Sequence, residues 1–164
     1  MKMTRIIEVP LAVLFLALPN QTLTAQGKPH QCPTPELVKD PKFIPGQVWE
    51  YKTRENEESS TLTILKVESL PKLGTIIHVR VDKIRLRNCT GGPEPNKFEH
   101  LPFTRDAIEH SVTKMGKESR IPDFREGYEE WRKACGGVYS ITVAEAIRVS
   151  EVTFRKNLGC ETED

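Results

Sequence analysis

Three segments of the chain alternate between apolar and polar residues in the way that half-buried β-strands do. The first, QVWEYKT at residues 47–53, places Trp49 and Tyr51 on one face. Residues 60–69 and 74–88 continue the pattern, and turn-forming residues separate the three segments. β-Branched and aromatic runs bounded by such turns predict a three-stranded antiparallel meander.

The third segment changes phase part-way along. Its inward apolar positions are odd-numbered up to Val81 and even-numbered from Ile84 onward. Because a single extra residue exchanges the two faces of a strand, we expect a β-bulge near Asp82.

Helical periodicity replaces this alternation after a loop. Residues 88–102 are rich in glycine and proline and predict that loop. From Thr104 to Gly116, apolar residues that include Val112 and Met115 recur every three or four positions. This spacing predicts a helix that ends at the glycine.

A second helix is predicted that includes the third cysteine and ends at the two glycines that follow it. Phe124, Tyr128, Trp131 and Cys135 form one apolar stripe at helical spacing, and two glycines follow them. Residues 138–141 then predict a short strand.

The last helix has the clearest start. Thr142 and Glu145 predict a capping box, in which each side chain accepts a hydrogen bond from the backbone of the other residue. Gly159 is expected to end the helix. The order is therefore three strands, two helices, a short strand and a C-terminal helix. It predicts an α+β domain whose helices pack on one face of the sheet.

The first residues have the composition of a secretory signal. Lys2 and Arg5 precede a ten-residue apolar run, which is too short for a membrane span of about 20 residues. Small residues favour cleavage after Gly27, with cleavage after Ala25 as the alternative. The predicted organisation is a signal peptide at residues 1–27, a proline-rich extended leader at 28–45, a single α+β domain at 46–160 and an acidic tail at 161–164. No membrane span is predicted after the signal is removed.

The predicted mature chain is neutral. Removing the signal takes two of the 24 basic residues and one of the 23 acidic residues, which leaves 22 of each. A dedicated nucleic-acid-binding protein normally has a basic excess, so this balance disfavours nucleic acid as a partner. The 137 residues that remain of the 164 are enough for one domain.

All four cysteines fall in the predicted mature chain. An even number in an exported chain indicates two disulfides, for which three connectivities are open. A strand leading away from Cys135 and a helix returning towards Cys160 cover about 16 and 22 Å, so these two cysteines should end close together. We therefore expect Cys135–Cys160 with Cys32–Cys89, while the other two connectivities stay open.

Cys135 is also the most conspicuous candidate for a reactive group, and its surroundings argue against that role. It lies at the C-terminal end of a predicted helix, where the helix dipole is negative, and it belongs to an apolar stripe. Both surroundings disfavour the thiolate. The sequence contains no phosphate-binding glycine loop, no HExxH and no GxSxG motif, and we predict no metal site and no cofactor.

Two further sets of residues are candidates for binding. Trp49 and Tyr51 could form a ligand face if the open side of the sheet is exposed, and burial in the core is the alternative. Lys83, Arg85 and Arg87 could bind an anionic ligand, and a solvated or guarded sheet edge is the alternative.

Five sequence blocks resemble a family of small uncharacterised bacterial proteins. They are PGQVWEYKTR, LTILKVE, LPFTRDAIEHSVTK, PDFREGYEEW and GGVYSITVAEAI, and the resemblance covers about residues 45–150. That family has no assigned activity, so no functional residue is carried over. The resemblance implies a single bacterial α+β domain, in the periplasm or secreted. The signal sequence and the four cysteines depart from the family pattern and fit an exported, cross-linked member.

The lack of a catalytic motif favours an exported domain that binds a protein or a small ligand without catalysis. The alternative is a hydrolase of unknown type that uses His100, Asp106 and His110. The last two residues stand four apart on a predicted helix and could share a metal ion or a proton, but the same spacing also describes a solvated ion pair.

Overall fold

The computed structural model describes residues 32–160 of the chain. The predicted signal peptide, the first four residues of the predicted leader and the acidic tail lie outside the described residues. The elements, in chain order, are β1 (Glu36–Leu37), β2 (Gln47–Tyr51), β3 (Thr61–Leu70), β4 (Gly74–Asp82), β5 (Lys97–Thr104), α1 (Arg105–Ser111), β6 (Val112–Glu118), α2 (Arg125–Lys133) and α3 (Val143–Asn157).

The strands form a six-stranded antiparallel sheet. Its order is β5-β4-β3-β2-β6, and β1 pairs with the end of β3. Strands β2, β3 and β4 are consecutive antiparallel neighbours. The α+β class is confirmed, and the sheet is larger than predicted because it also contains β1, β5 and β6.

Strand β5 begins within the predicted loop at residues 88–102, so that prediction is wrong from residue 97 onward. Leu101 and Phe103 are buried in the main core, and Phe98 packs against it. Pro102 cannot donate to a strand ladder, but β5 is an edge strand, where proline is accepted. Burial of these apolar side chains outweighs the local turn signal.

The predicted helix from Thr104 to Gly116 is only half as long in the structure. Thr104 is the N-cap of α1 and accepts a hydrogen bond from the amide of Ala107, but the helix ends at Ser111. The following residues form β6, which pairs with β2. Met115, predicted to face inward, is 46% exposed. Pairing with a neighbouring strand therefore overrides the local helical periodicity.

Strand β4 ends at Asp82 instead of continuing through a bulge. Lys83 has a φ angle of 58°, in the left-handed region, and this residue shifts the inward positions from Val81 to Ile84. Ile84 and Leu86 are buried, as the predicted phase change requires. The phase change is confirmed, but its cause is a left-handed residue after the strand.

Helices cover both faces of the sheet, so the prediction that they share one face is wrong. Helices α1 and α3 pack on the main core. Helix α2 packs on the opposite face, where Trp131 contacts Leu70 and Ile76. Ile76 and Ile77 are neighbours in β4 and belong to the two different clusters, as alternation along a strand requires. The sequence pattern identifies the apolar side of a helix, but it does not specify which sheet face that side covers.

The three described helices also bear on two smaller predictions. The capping box of α3 is confirmed, since Thr142 and Glu145 exchange both expected hydrogen bonds. Helix α2 ends before Cys135, which adopts a left-handed conformation with a φ angle of 59°.

None of the described helices combines the length and apolar composition that a membrane span requires.

The disulfides join Cys32 to Cys135 and Cys89 to Cys160, with Cα–Cα distances of 4.8 and 5.9 Å. The expected pairing of Cys135 with Cys160 and of Cys32 with Cys89 is therefore wrong. The expected pairing assumed that a strand at residues 138–141 leads the chain away from Cys135. In the structure, this segment forms only one isolated β-bridge, between Tyr139 and Phe103. Without that outward path, the 15 residues of α3 carry Cys160 away from Cys135.

Candidate functional site

Polar side chains from three strands lie beneath α2. Lys66 and Glu68 belong to β3, His78 to β4 and His100 to β5. They lie on the sheet face opposite the main core, and Tyr128 of α2 contacts them from above. These five residues are called the polar cluster.

Glu68 is the charged centre of the polar cluster. Its side chain is 1% exposed and accepts hydrogen bonds from the hydroxyl of Tyr128 at 2.9 and 3.0 Å. The ammonium group of Lys66 lies 2.7 Å from the same carboxylate. Burial alone would raise the pKa of this carboxyl, but its contacts with His78, Lys66 and Tyr128 lower it to about 2. Glu68 is therefore a buried carboxylate at neutral pH.

His78 connects Glu68 to His100. Its side chain is fully buried, and Nε2 lies 3.1 Å from Oε1 of Glu68, outside good hydrogen-bond alignment. The other ring nitrogen, Nδ1, lies 2.8 Å from Nε2 of His100. The two ring planes differ by 17° and their centroids are 5.0 Å apart, which fits an edge-to-edge hydrogen bond in a common plane. Burial lowers the pKa of His78 by more than the adjacent carboxylate of Glu68 raises it, and the charge of Lys66 also lowers it.

His100 lies at the outer end of this chain of contacts and is half-buried. Burial lowers the pKa of His100 to about 4; the neighbouring His78 and Lys66 act in the same direction and the carboxylate of Glu68 acts against them, so the ring of His100 is neutral at pH 7. A Cβ atom placed on Gly127 would lie 2.9 Å from Cβ of His100 and 3.7 Å from its Nδ1. The glycine therefore lets α2 approach β5 closely, on the Nδ1 side of the ring.

The predicted apolar stripe of the second helix covers the polar cluster. The ring of Phe124 lies 6.2 Å from that of His100 at an angle of 12°, and the ring of Trp131 meets that of His78 edge-on at 4.7 Å. Tyr128 lies edge-on to both histidines. The stripe does face inward, and it packs on a pair of histidines as well as on the aliphatic side chains of Leu70 and Ile76.

A groove opens beside the polar cluster, between β5, α2 and the segment that follows α2. Its volume is about 540 Å³, within the usual range of small-molecule sites. His100 and Glu130 are its ionisable residues, since the hydroxyl of the lining residue Tyr139 lies 3.1 Å from that of Ser150 on α3. The apolar part of its wall consists of Leu101, Pro102, Trp131, Ala134 and Val138.

An acidic surface continues from the groove along the outer side of α2. Glu130 lines both the groove and a neighbouring open depression of about 800 Å³, whose wall also includes Glu126 and Glu129. Asp123 in that wall is neutralised by Arg125 at 2.7 Å. Within residues 32–160 the three glutamates form no ion pair. Three carboxylates without an ion-pair partner among these residues therefore lie at and beside the mouth of the groove.

Trp49 and Tyr51 do not form an exposed ligand face. They are 8% and 5% exposed and belong to the main core. The indole nitrogen of Trp49 donates to the side chain of Gln47 at 3.0 Å, and the hydroxyl of Tyr51 is 2.7 Å from that of Ser60. The structure thus corresponds to the alternative of core burial.

Lys83, Arg85 and Arg87 are exposed on one side of the segment after β4. The amides of the two arginines donate to buried carboxylates, Arg85 to Glu57 at 2.7 Å and Arg87 to Glu151 at 2.8 Å. The guanidinium of Arg87 also lies 3.5 Å from Glu151. The segment is anchored to the fold through its backbone, and its basic side chains lie at the solvated surface.

The structure does not bring together His100, Asp106 and His110, the three residues of the hydrolase hypothesis. His100 lies on the α2 side of the sheet, whereas Asp106 and His110 are exposed on α1, which packs on the other side. Nδ1 of His110 is 2.8 Å from the backbone carbonyl of Asp106 and not from its carboxylate. Within residues 32–160, no group of three or more histidine, cysteine, aspartate or glutamate side chains has the arrangement of a metal site.

Four members of the polar cluster are not among the predicted site residues, although the sequence contains a partial signal for them. Lys66 and Glu68 have the same phase in β3, which places both on one strand face. His78 occupies the corresponding face of β4, and Tyr128 belongs to the predicted helical stripe. Only the packing of α2 on that sheet face shows that these residues meet.

Comparisons with family models, with curated proteins and with solved structures find no match for the chain. The resemblance to a family of small bacterial proteins therefore stays a prediction.

Proposed function

We propose that the chain is an exported, non-enzymatic domain that binds a small molecule in the groove beside α2. The observation that carries this proposal is the position of His100 in the groove wall. One of its ring nitrogens is engaged by His78. Among residues 32–160, no hydrogen-bond partner occupies the other nitrogen, Nδ1.

The groove has the usual composition of a small-molecule site, an apolar wall with a few fixed polar groups. His100 is held in place by its hydrogen bond to the buried His78, by the parallel ring of Phe124 and by close contact with Gly127. A side chain fixed in this way loses little conformational freedom when a ligand binds, which favours affinity.

Export is part of the same proposal. The two disulfides are typical of proteins that mature in an oxidising compartment. Together with the predicted signal peptide, they support a periplasmic or secreted location.

A nuclear magnetic resonance screen of small fragments against the oxidised protein tests the proposal. We expect some fragments to shift the backbone amide signals of β5, α2 and the segment after α2. The variant Ala134→Trp fills the groove from an exposed position and should abolish those shifts. Lys133→Trp places the same side chain on the neighbouring exposed residue, which is not part of the groove wall, and should leave binding intact.

Two outcomes would refute the proposal. The first is a screen in which no fragment shifts the groove signals in a saturable way. The second is binding that persists in Ala134→Trp with unchanged affinity, which would place the fragments elsewhere.

A further inference from the structure

The carboxylate of Glu68 determines which nitrogen of His78 carries the proton. Nε2 of His78 lies 3.1 Å from Oε1 of Glu68, and the neutral imidazole has one protonated and one unprotonated nitrogen. An unprotonated Nε2 would place a lone pair against a negative oxygen. The Nε2–H tautomer is therefore favoured, even without ideal hydrogen-bond alignment, and Nδ1 of His78 is left as an acceptor.

The proton position on His78 in turn determines that on His100. Nδ1 of His78 and Nε2 of His100 are 2.8 Å apart, so one of them has to donate. Because His78 offers a lone pair there, Nε2 of His100 carries the proton. The neutral ring of His100 then has an unprotonated Nδ1, so the polar cluster presents a hydrogen-bond acceptor beside Gly127, where the groove lies.

The charges around the groove add a second requirement for its ligand. Glu130 lies in the groove wall, and Glu126 and Glu129 extend the negative surface beyond it. No lysine or arginine contributes to the groove wall. An anion would meet a lone pair and several carboxylates there, whereas a cation that donates hydrogen bonds matches both features.

We infer that the groove binds a protonated primary amine with an apolar body, whose ammonium group donates to Nδ1 of His100 next to the carboxylate of Glu130. The apolar body lies against the wall formed by Pro102, Trp131 and Val138. This inference rests on the proposed function, since it names the ligand class of the same groove.

The first test measures the tautomer of the free protein. Long-range proton–nitrogen correlation spectra at neutral pH should show both His78 and His100 as Nε2–H tautomers, with Nδ1 of His100 unprotonated. A proton on Nδ1 of His100 would overturn the inference, because the groove would then present a donor.

The second test compares three probes that share a phenylethyl body: phenethylamine, phenethyl alcohol and hydrocinnamate. We expect the amine to bind most tightly, the neutral alcohol less tightly and the carboxylate least. Amine binding should also shift the nitrogen resonance of His100 Nδ1. Hydrocinnamate binding as tightly as the amine would overturn the inference and leave the proposed function standing. If none of the three probes saturates the groove signals, the inference fails, and the fragment screen decides separately on the proposed function.

A matched pair of variants tests the role of the carboxylate. Glu130→Gln should weaken binding of phenethylamine by about three- to fivefold, the scale of one exposed ion pair, and leave phenethyl alcohol unaffected. Glu129→Gln removes the same charge from a neighbouring exposed position outside the groove wall and should change the amine affinity much less. Equal effects of the two variants, or no effect of either, would contradict the direct contact with Glu130.

Discussion

Acidification from about pH 7 to about pH 4.5 should destabilise the fold through the histidines of the polar cluster. The fold lowers the pKa of His100 from its ordinary value of 6.5 to about 4. The unfolded chain therefore takes up a proton first as the pH falls. The stabilisation linked to His100 is complete above pH 6.5 and is lost as the pH falls towards 4. Over the interval from pH 7 to 4.5, this loss amounts to about 2.5 kcal/mol.

The charged groups that surround His100 decide which pH interval reports on it. The pKa of His78 is also lowered, so His78 adds to the loss of folding stability as the pH falls. Glu68 is lowered from 4.5 to about 2, so its contribution is lost mainly below pH 4.5. Lys66 has a raised pKa and stays charged throughout. The interval above pH 4.5 therefore reports mainly on the two histidines.

Urea denaturation of the oxidised protein at both pH values measures the loss directly. The variant His100→Gln keeps a donor that can face His78 but has no titrating ring, so its loss between the two pH values should be about 2.5 kcal/mol smaller than that of the natural chain. His110→Gln, at an exposed position on α1, is the matched control and should retain the full loss.

Equal losses of stability on acidification in His100→Gln and in the natural chain would show that protonation of His100 does not destabilise the fold. A direct titration gives an independent check, because the ring signals of His100 should follow a pKa near 4. A titration midpoint close to 6.5 in the folded protein would show that burial does not lower the pKa of His100.

Three further predictions concern stability. Replacing Cys89 and Cys160 with serine should lower the free energy of unfolding by about 4 kcal/mol, because their disulfide joins residues 71 positions apart. A denaturation midpoint of the serine variant equal to that of the oxidised protein would contradict this. Gly127→Ala should lower the melting temperature because its methyl group would crowd β5, even though alanine is more favourable in a helix than glycine by about 1 kcal/mol. The control Gly137→Ala, where an added Cβ meets no neighbour, should not lower the melting temperature. A higher melting temperature for Gly127→Ala would disprove the close approach of α2 to β5. Thr142→Ala removes the cap of α3 and should cost about 1 kcal/mol in the same denaturation assay; an unchanged value would mean that the capping box contributes nothing.

Local sequence signals predict those parts of the fold in which a segment's own chemistry decides its structure. Strand β2 follows from the alternation around Trp49, and the start of α3 follows from the reciprocal bonds of Thr142 and Glu145. Strand β6 is different, since its helical spacing around Met115 is overridden by pairing with β2. Such a strand depends on a partner more than 60 residues away, which no local pattern contains.

The candidate site is predictable to an even smaller extent. His100 is recognised from the sequence because it lies among apolar residues, but its proposed partners on α1 lie across the sheet. Its actual hydrogen-bond partner is His78, which in turn contacts Glu68, and these residues come from separate strands that strand register brings together. The choice of sheet face for α2 then encloses them, and that choice depends on the packing of the whole domain.

The disulfide connectivity has a consequence for how the chain matures. An oxidant that joins cysteines in the order in which they emerge would connect Cys32 to Cys89 and Cys135 to Cys160. The native bonds interleave instead, with sequence separations of 103 and 71 residues. Where bonds form in order of emergence, they have to be reopened by thiolate attack before the native pairs can form. We therefore expect a disulfide isomerase to raise the yield of the native protein during oxidative refolding.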